Sequence, residues 1–117
     1  MRLDSQQVEA VVACEDAQLV LASAGSGKTM SLLAKIEYLV CRLHIRPTDI
    51  LVISFTKKTV AELIERCAIS DVEIHTFHGF GNSILRASGH GGTLISEHQI
   101  AQILAASIRN TIAAIPN

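Results

Sequence analysis

The stretch Ala22-Ser23-Ala24-Gly25-Ser26-Gly27-Lys28-Thr29 follows the apolar run Leu19-Val20-Leu21 and opens a segment with helical spacing, Ser31-Leu32-Leu33-Ala34-Lys35-Ile36. A strand, a loop of small residues ending Gly-Lys-Thr and a helix predict a phosphate-binding loop. Small residues let the backbone curl so that successive N–H groups aim inward at phosphate oxygens. The helix starting near Gly27 adds the positive end of its dipole. In such a loop Lys28 reaches the β- and γ-phosphates, and the Thr29 hydroxyl ligates Mg²⁺. The first position of G-x-x-x-x-G-K-[ST] is Ala22 rather than glycine; alanine is small enough if its φ is ordinary. The competing reading is a strand-to-helix turn with an incidental lysine, and the agreement of both flanks with the motif argues against it. The chain is expected to bind a nucleoside triphosphate.

The 117 residues amount to at most one small domain. Apolar residues make up 49% and aromatic ones only 3%, so the expected core is aliphatic. A formal net charge of −1 gives no global attraction to nucleic acid or anionic membrane, so any nucleic-acid contact must be local. Cys14, Cys41 and Cys67 are widely spaced, without a C-x-x-C, which fits reduced thiols of a cytoplasmic protein. The residues from Met1 to Gln7 hold no apolar signal segment, and no apolar run is long enough to span a membrane.

Along the chain, Asp4 or Ser5 is expected to cap a helix over 4–15 with Val8, Val11 and Val12 on one face. A strand over 18–22 and the loop follow, then a helix from Thr29 to about Leu43. Arg46-Pro47-Thr48-Asp49 breaks it. The continuous run Ile50-Leu51-Val52-Ile53 reads as a strand covered on both faces. A helix over 58–67, a strand over 72–76 and a helix over 79–87 come next. After the loop Ser88-Gly89-His90-Gly91-Gly92, Thr93 or Ser96 caps a last helix over 97–114. Alternating strands and helices predict an α/β fold, a three-stranded parallel sheet with flanking helices. So thin a sheet reads as an incomplete domain.

Ligands gather at the carboxyl ends of parallel strands. The second strand exits into Ser54-Phe55-Thr56-Lys57-Lys58, and the third into Thr76-Phe77-His78-Gly79-Phe80. Aromatic rings, hydroxyls and local positive charge suit single-stranded nucleic acid: Phe55 can stack on a base, and Thr56 and the lysines can hold phosphates. All three phenylalanines of the chain lie at these exits. From the residues alone, nucleic-acid contact stands only slightly ahead of packing. His75 and His78 lack a second ligand pair at metal-site spacing, so a polar strand-end role is preferred to zinc.

Leu3-Asp4-Ser5-Gln6-Gln7, the loop ending Gly27-Lys28-Thr29, the stretch from Ile50 to Arg66 and Thr76-Phe77-His78-Gly79-Phe80 resemble, in order and spacing, the start of UvrD/Rep-type superfamily 1 DNA helicases. The resemblance covers about residues 3–86, and the stretch after His78 is most similar to the helicase IV branch. It implies a partial RecA-like core: residues 1–88 would be the start of the ATP-binding domain, and 89–117 a loop and helix opening an inserted subdomain. Gln7 then matches the glutamine that reads the adenine edge, making ATP with Mg²⁺ the nucleotide. Ala22, Ser23, Ala24, Gly25, Ser26, Gly27, Lys28 and Thr29 form the phosphate cradle. Phe55, Thr56 and Lys58, with Thr76, Phe77 and His78, match the motifs that touch single-stranded or partly duplex DNA. Ser23, Ser54, Lys57 and Thr59-Val60 depart from the family's usual residues, and of these only Ser23 bears on nucleotide geometry. In RecA-like cores, strands from later in the chain insert beside the phosphate-loop strand, so the remainder of a helicase chain is an implied partner.

Hydrolysis needs a carboxylate pair at a strand end, and no apolar strand here ends in Asp-Glu. The expected product is thus the amino-terminal part of a motor that does not unwind DNA alone. Two alternatives are another phosphate-loop enzyme such as a small kinase, and a non-catalytic module that self-associates through its open sheet.

Overall fold

Asp4 starts the first helix. Its carboxylate accepts from the Gln7 N–H at 2.8 Å, and the Gln7 side-chain oxygen accepts from the Asp4 N–H at 2.9 Å. This capping box satisfies donors that a helix start leaves free. Helix α1 runs Ser5–Val12, shorter than expected from the sequence. The computed structural model describes residues 2–93 and 95–116. It continues with α2 (Lys28–Cys41), a 3₁₀ turn at Pro47–Asp49, β1 (Leu51–Ser54), α3 (Lys57–Arg66), β2 (Glu73–Thr76), α4 (Phe77–Ala87) and α5 (Glu97–Ala113). The chain divides into two compact units, Met1–Ser83 and Ile84–Asn117.

In the first unit β1 and β2 pair in parallel, with Leu51 opposite Glu73 and Ser54 opposite Thr76. Parallel neighbours need a crossover, and α3 supplies it. Leu33 and Ile36 of α2, Leu63 of α3, and Ile50, Val52 and Ile74 from the sheet close into one aliphatic core. This core lies on one face of the sheet. Leu51, on the other face, is 43% exposed, so the expectation of a strand buried on both sides is corrected.

The three-stranded sheet is corrected as well: the sheet has two strands among the described residues, and 18–22 joins no ladder. Leu19 and Leu21 are 83% and 86% exposed. A strand is stabilised by the N–H and C=O groups of a neighbour, and β1 bonds only to β2. Extended, apolar and unpaired, 18–22 keeps strand composition without strand structure.

Helix α1 is held on α2 from both ends. At its carboxyl end the Lys35 ammonium donates to the Val11 carbonyl at 2.9 Å and to the Ala13 carbonyl. These are acceptors that a helix end leaves without partners. Val11 is buried beside them. At its amino end Gln7 reaches the loop that precedes α2. The second unit is built around a Schellman turn closing α4, with Gly89 at φ 77°, the Gly89 N–H on the Arg86 carbonyl and the His90 N–H on the Leu85 carbonyl. Ser96 then caps α5 through a second capping box with Gln99.

Ile36→Ala and Leu63→Ala, each emptying a site only 2% exposed, are expected to cost about 2–5 kcal/mol in urea unfolding followed by circular dichroism. Leu21→Ala should stay within about 0.5 kcal/mol; a cost like that of Ile36→Ala would show that 18–22 is packed. Lys35→Met, which strands two carbonyls, is expected to cost about 1.5–3 kcal/mol by the same measurement.

Candidate functional site

The loop between Ala22 and Thr29 is shaped by two glycines. Ser26 turns back on Ser23: its N–H donates to the Ser23 carbonyl at 3.2 Å and its hydroxyl to the same oxygen at 2.6 Å. Gly25 sits at φ 77° at the third position of this turn, where a side chain is strained. Gly27 follows at φ 83° and ψ 27° as the N-cap of α2, and no side chain caps the helix. The first-turn N–H groups of α2 are therefore offered to a ligand, beside the positive end of a 14-residue helix. Lys28 folds back over the loop and donates to the Ala22 carbonyl at 3.1 Å. Gln7 closes the loop from the other side, its amide nitrogen donating to the Ser26 carbonyl at 3.0 Å.

These residues border an open cavity of about 560 Å³, lined among others by Gln7, Ala22, Ser23, Ser26 and Lys28. That volume is in the range of small-ligand pockets, roughly 300–1,000 Å³. Polar groups of α1, the loop and α2 meet there, and the chemistry offered is that of an anion site: uncapped N–H groups, an ammonium and serine hydroxyls. The residues present fit a nucleotide's phosphates. Thr29 lies in the first turn of α2, half-buried, and does not line the cavity; no described hydrogen bond occupies its hydroxyl. Ala24, Gly25 and Gly27, expected in the cradle, do not line the cavity either.

The DNA-contact residues expected from the sequence lie at a different place. None of Phe55, Thr56, Lys58, Thr76, Phe77 and His78 lines the cavity. The structure does bring the two exits together, because Ser54 and Thr76 are paired and the chains leave the sheet side by side. Phe55 is 91% exposed and Phe77 70%, while Phe80 is half-buried with its ring 6.1 Å from that of His75. Two bare aromatic rings thus stand just past adjacent strand ends, and Lys57, Lys58 and His78 are exposed as well. The threonines have local work. Thr56 caps α3, accepting from the Thr59 N–H at 3.1 Å, and the Thr76 hydroxyl accepts from the Gly79 N–H at 3.0 Å. Among the described residues no three His, Cys, Asp or Glu side chains gather as a metal site.

Two supports of the site escaped the sequence reading. Asp4 was taken only as a cap, yet it orients Gln7. Lys35 was placed among helical residues without a role. Its spacing carried the signal: seven residues after Lys28, it lies two turns along the same face of α2.

Comparison with known proteins matches residues 3–114 to the UvrD/REP helicase N-terminal domain. ATP-dependent DNA helicase PcrA of Leuconostoc citreum is 39% identical over 94 residues, which cover 74% of this chain and 13% of that protein. The PcrA of Bacillus subtilis (strain 168) is 40% identical over 90 residues, 72% of this chain and 12% of that protein. DNA helicase II of Escherichia coli (strain K12) is 36% identical over 104 residues, 84% of this chain and 14% of that protein. The chain thus spans about one-seventh or less of the length of these relatives. With a family model running almost from end to end, the chain belongs to the UvrD/REP helicase N-terminal domain family.

Proposed function

We propose that these residues are the ATP-binding and single-stranded-DNA-contacting amino-terminal part of an ATP-dependent DNA helicase. The observation that carries this reading is the phosphate loop: an uncapped α2 preceded by two left-handed glycines, with Lys28 and Gln7 converging on it. Lys28 would exchange the Ala22 carbonyl for phosphate oxygens, a stronger, charge-assisted partner. Thr29 would hold Mg²⁺, which neutralises charge on the phosphates when bound. Gln7 would read the adenine edge.

In this reading 1–88 belong to the ATP-binding domain and 89–117 begin an inserted subdomain. The exposed apolar stretch Leu19-Val20-Leu21 is offered to further strands of the same polypeptide. A carboxylate pair for hydrolysis would likewise come from elsewhere in the helicase, so these 117 residues would bind without unwinding. Among the described residues no helix is long and apolar enough to cross a membrane. The unpaired thiols of Cys14, Cys41 and Cys67 suit a reducing cytoplasm.

Titration with a fluorescent ATP analogue and Mg²⁺ is expected to show saturable binding, competed better by ATP than by GTP. Lys28→Ala should lose about 1.5–3 kcal/mol of that binding, and unchanged affinity would remove the phosphate-loop reading. Phe55→Ala should weaken binding of an oligothymidine by about 1–3 kcal/mol with little change in melting temperature, since the ring is almost fully exposed. Equal affinity of the variant and the parent chain would exclude Phe55 from the DNA surface.

A further inference from the structure

Gln7 does more than the resemblance asks of it. Its amide bridges two backbone groups of opposite polarity: the oxygen accepts from the Asp4 N–H at 2.9 Å, and the nitrogen donates to the Ser26 carbonyl at 3.0 Å. A donor on one side and an acceptor on the other fix which end of the amide is which. The approach is close. The φ of 83° at residue 27 favours glycine, and a Cβ there would stand 2.6 Å from the Gln7 amide nitrogen and displace that side chain.

A trans peptide is planar, with its C=O and N–H pointing in opposite directions, and no described peptide bond is cis. Holding the Ser26 carbonyl toward α1 therefore turns the Gly27 N–H away from α1. That N–H has no described partner and lies at the start of α2, which no side chain caps. We propose that Gln7 is a positioning residue of the phosphate loop. Through the Ser26 carbonyl it sets the Ser26–Gly27 peptide, and so governs binding of the triphosphate itself as well as of the base. This inference rests on the reading of Ala22–Thr29 as a phosphate loop. After both bonds the amide keeps one N–H and one lone pair, the single donor and single acceptor that the N7 and N6 edge of adenine requires. Base contact and loop contact are thus compatible on one side chain.

The test uses a ligand without a base. Gln7→Met keeps the length of the side chain and removes its hydrogen bonds. In the 117-residue chain, with folding checked by thermal melting, this variant is expected to bind inorganic tripolyphosphate about three- to tenfold more weakly than the parent chain by calorimetry. Equal tripolyphosphate affinity with a loss confined to ATP would overturn the proposal and leave Gln7 a base reader only. Nuclear magnetic resonance of the ligand-free proteins gives an independent readout: the amide cross-peaks of Gly27 and Lys28 should shift in Gln7→Met while those of α3 stay. Unmoved cross-peaks in a folded variant would equally overturn it. If the parent chain binds neither ATP nor tripolyphosphate, the phosphate-loop reading falls, and the Gly27 cross-peak still decides whether Gln7 sets the peptide.

Discussion

The Lys35 ammonium, lodged under the Val11 and Ala13 carbonyls, is the tie on which the arrangement of α1 around the 22–29 loop depends. Helix α1 has only 8 residues and one buried side chain, Val11. A helix so short is marginal by itself, because nucleation is costly and few bonds follow it. Its place is fixed instead by a cation against its negative end and by Gln7 at its other end. Because Lys28 and Lys35 project from one face of the same helix, the group folded over the loop and the group holding α1 share a rigid frame. Through that frame the aliphatic core beneath Leu33 and Ile36 bears on the geometry of the loop.

Much of this was legible in the sequence where a local rule was strong. Asp4 and Ser96 announce helix starts, Gly89 a helix end, and the small residues up to Gly27 a tight loop before the start of α2. All three are decided within a few residues by backbone chemistry, and tertiary context leaves them unchanged. The reading failed where the outcome depends on a neighbour. Residues 18–22 have the composition of a strand, but pairing is not a property of the segment. Ile50–Ile53 has the apolar run of a doubly covered strand, yet Leu51 on its second side is 43% exposed. Neither the presence nor the absence of a covering layer is written in the strand that would be covered.

The site shows the same division. The residue types of the loop were legible, and so was the crowding of phenylalanines at the strand exits. The work of the threonines was not. Thr56 reads as a phosphate-binding hydroxyl and Thr76 as part of a DNA-contacting motif, while the structure has them accepting from Thr59 and Gly79 N–H groups. A hydroxyl has two lone pairs and a proton, so capping leaves Thr76 a donor for a further partner, while the Thr56 hydroxyl also lies 2.9 Å from that of Thr59. Local structure and ligand binding draw on the same atoms, and a sequence does not say which claims them first.

The bare stretch 18–22 also bears on how these residues behave during biosynthesis. Its backbone emerges from the ribosome before the loop, helices and strands that follow it. An extended apolar segment with open N–H and C=O groups is a template for pairing between chains. Glu15 and Asp16 stand immediately before it, and charges flanking an apolar strand oppose such stacking. The acidic pair is the local guard on an apolar segment that joins no ladder among the described residues.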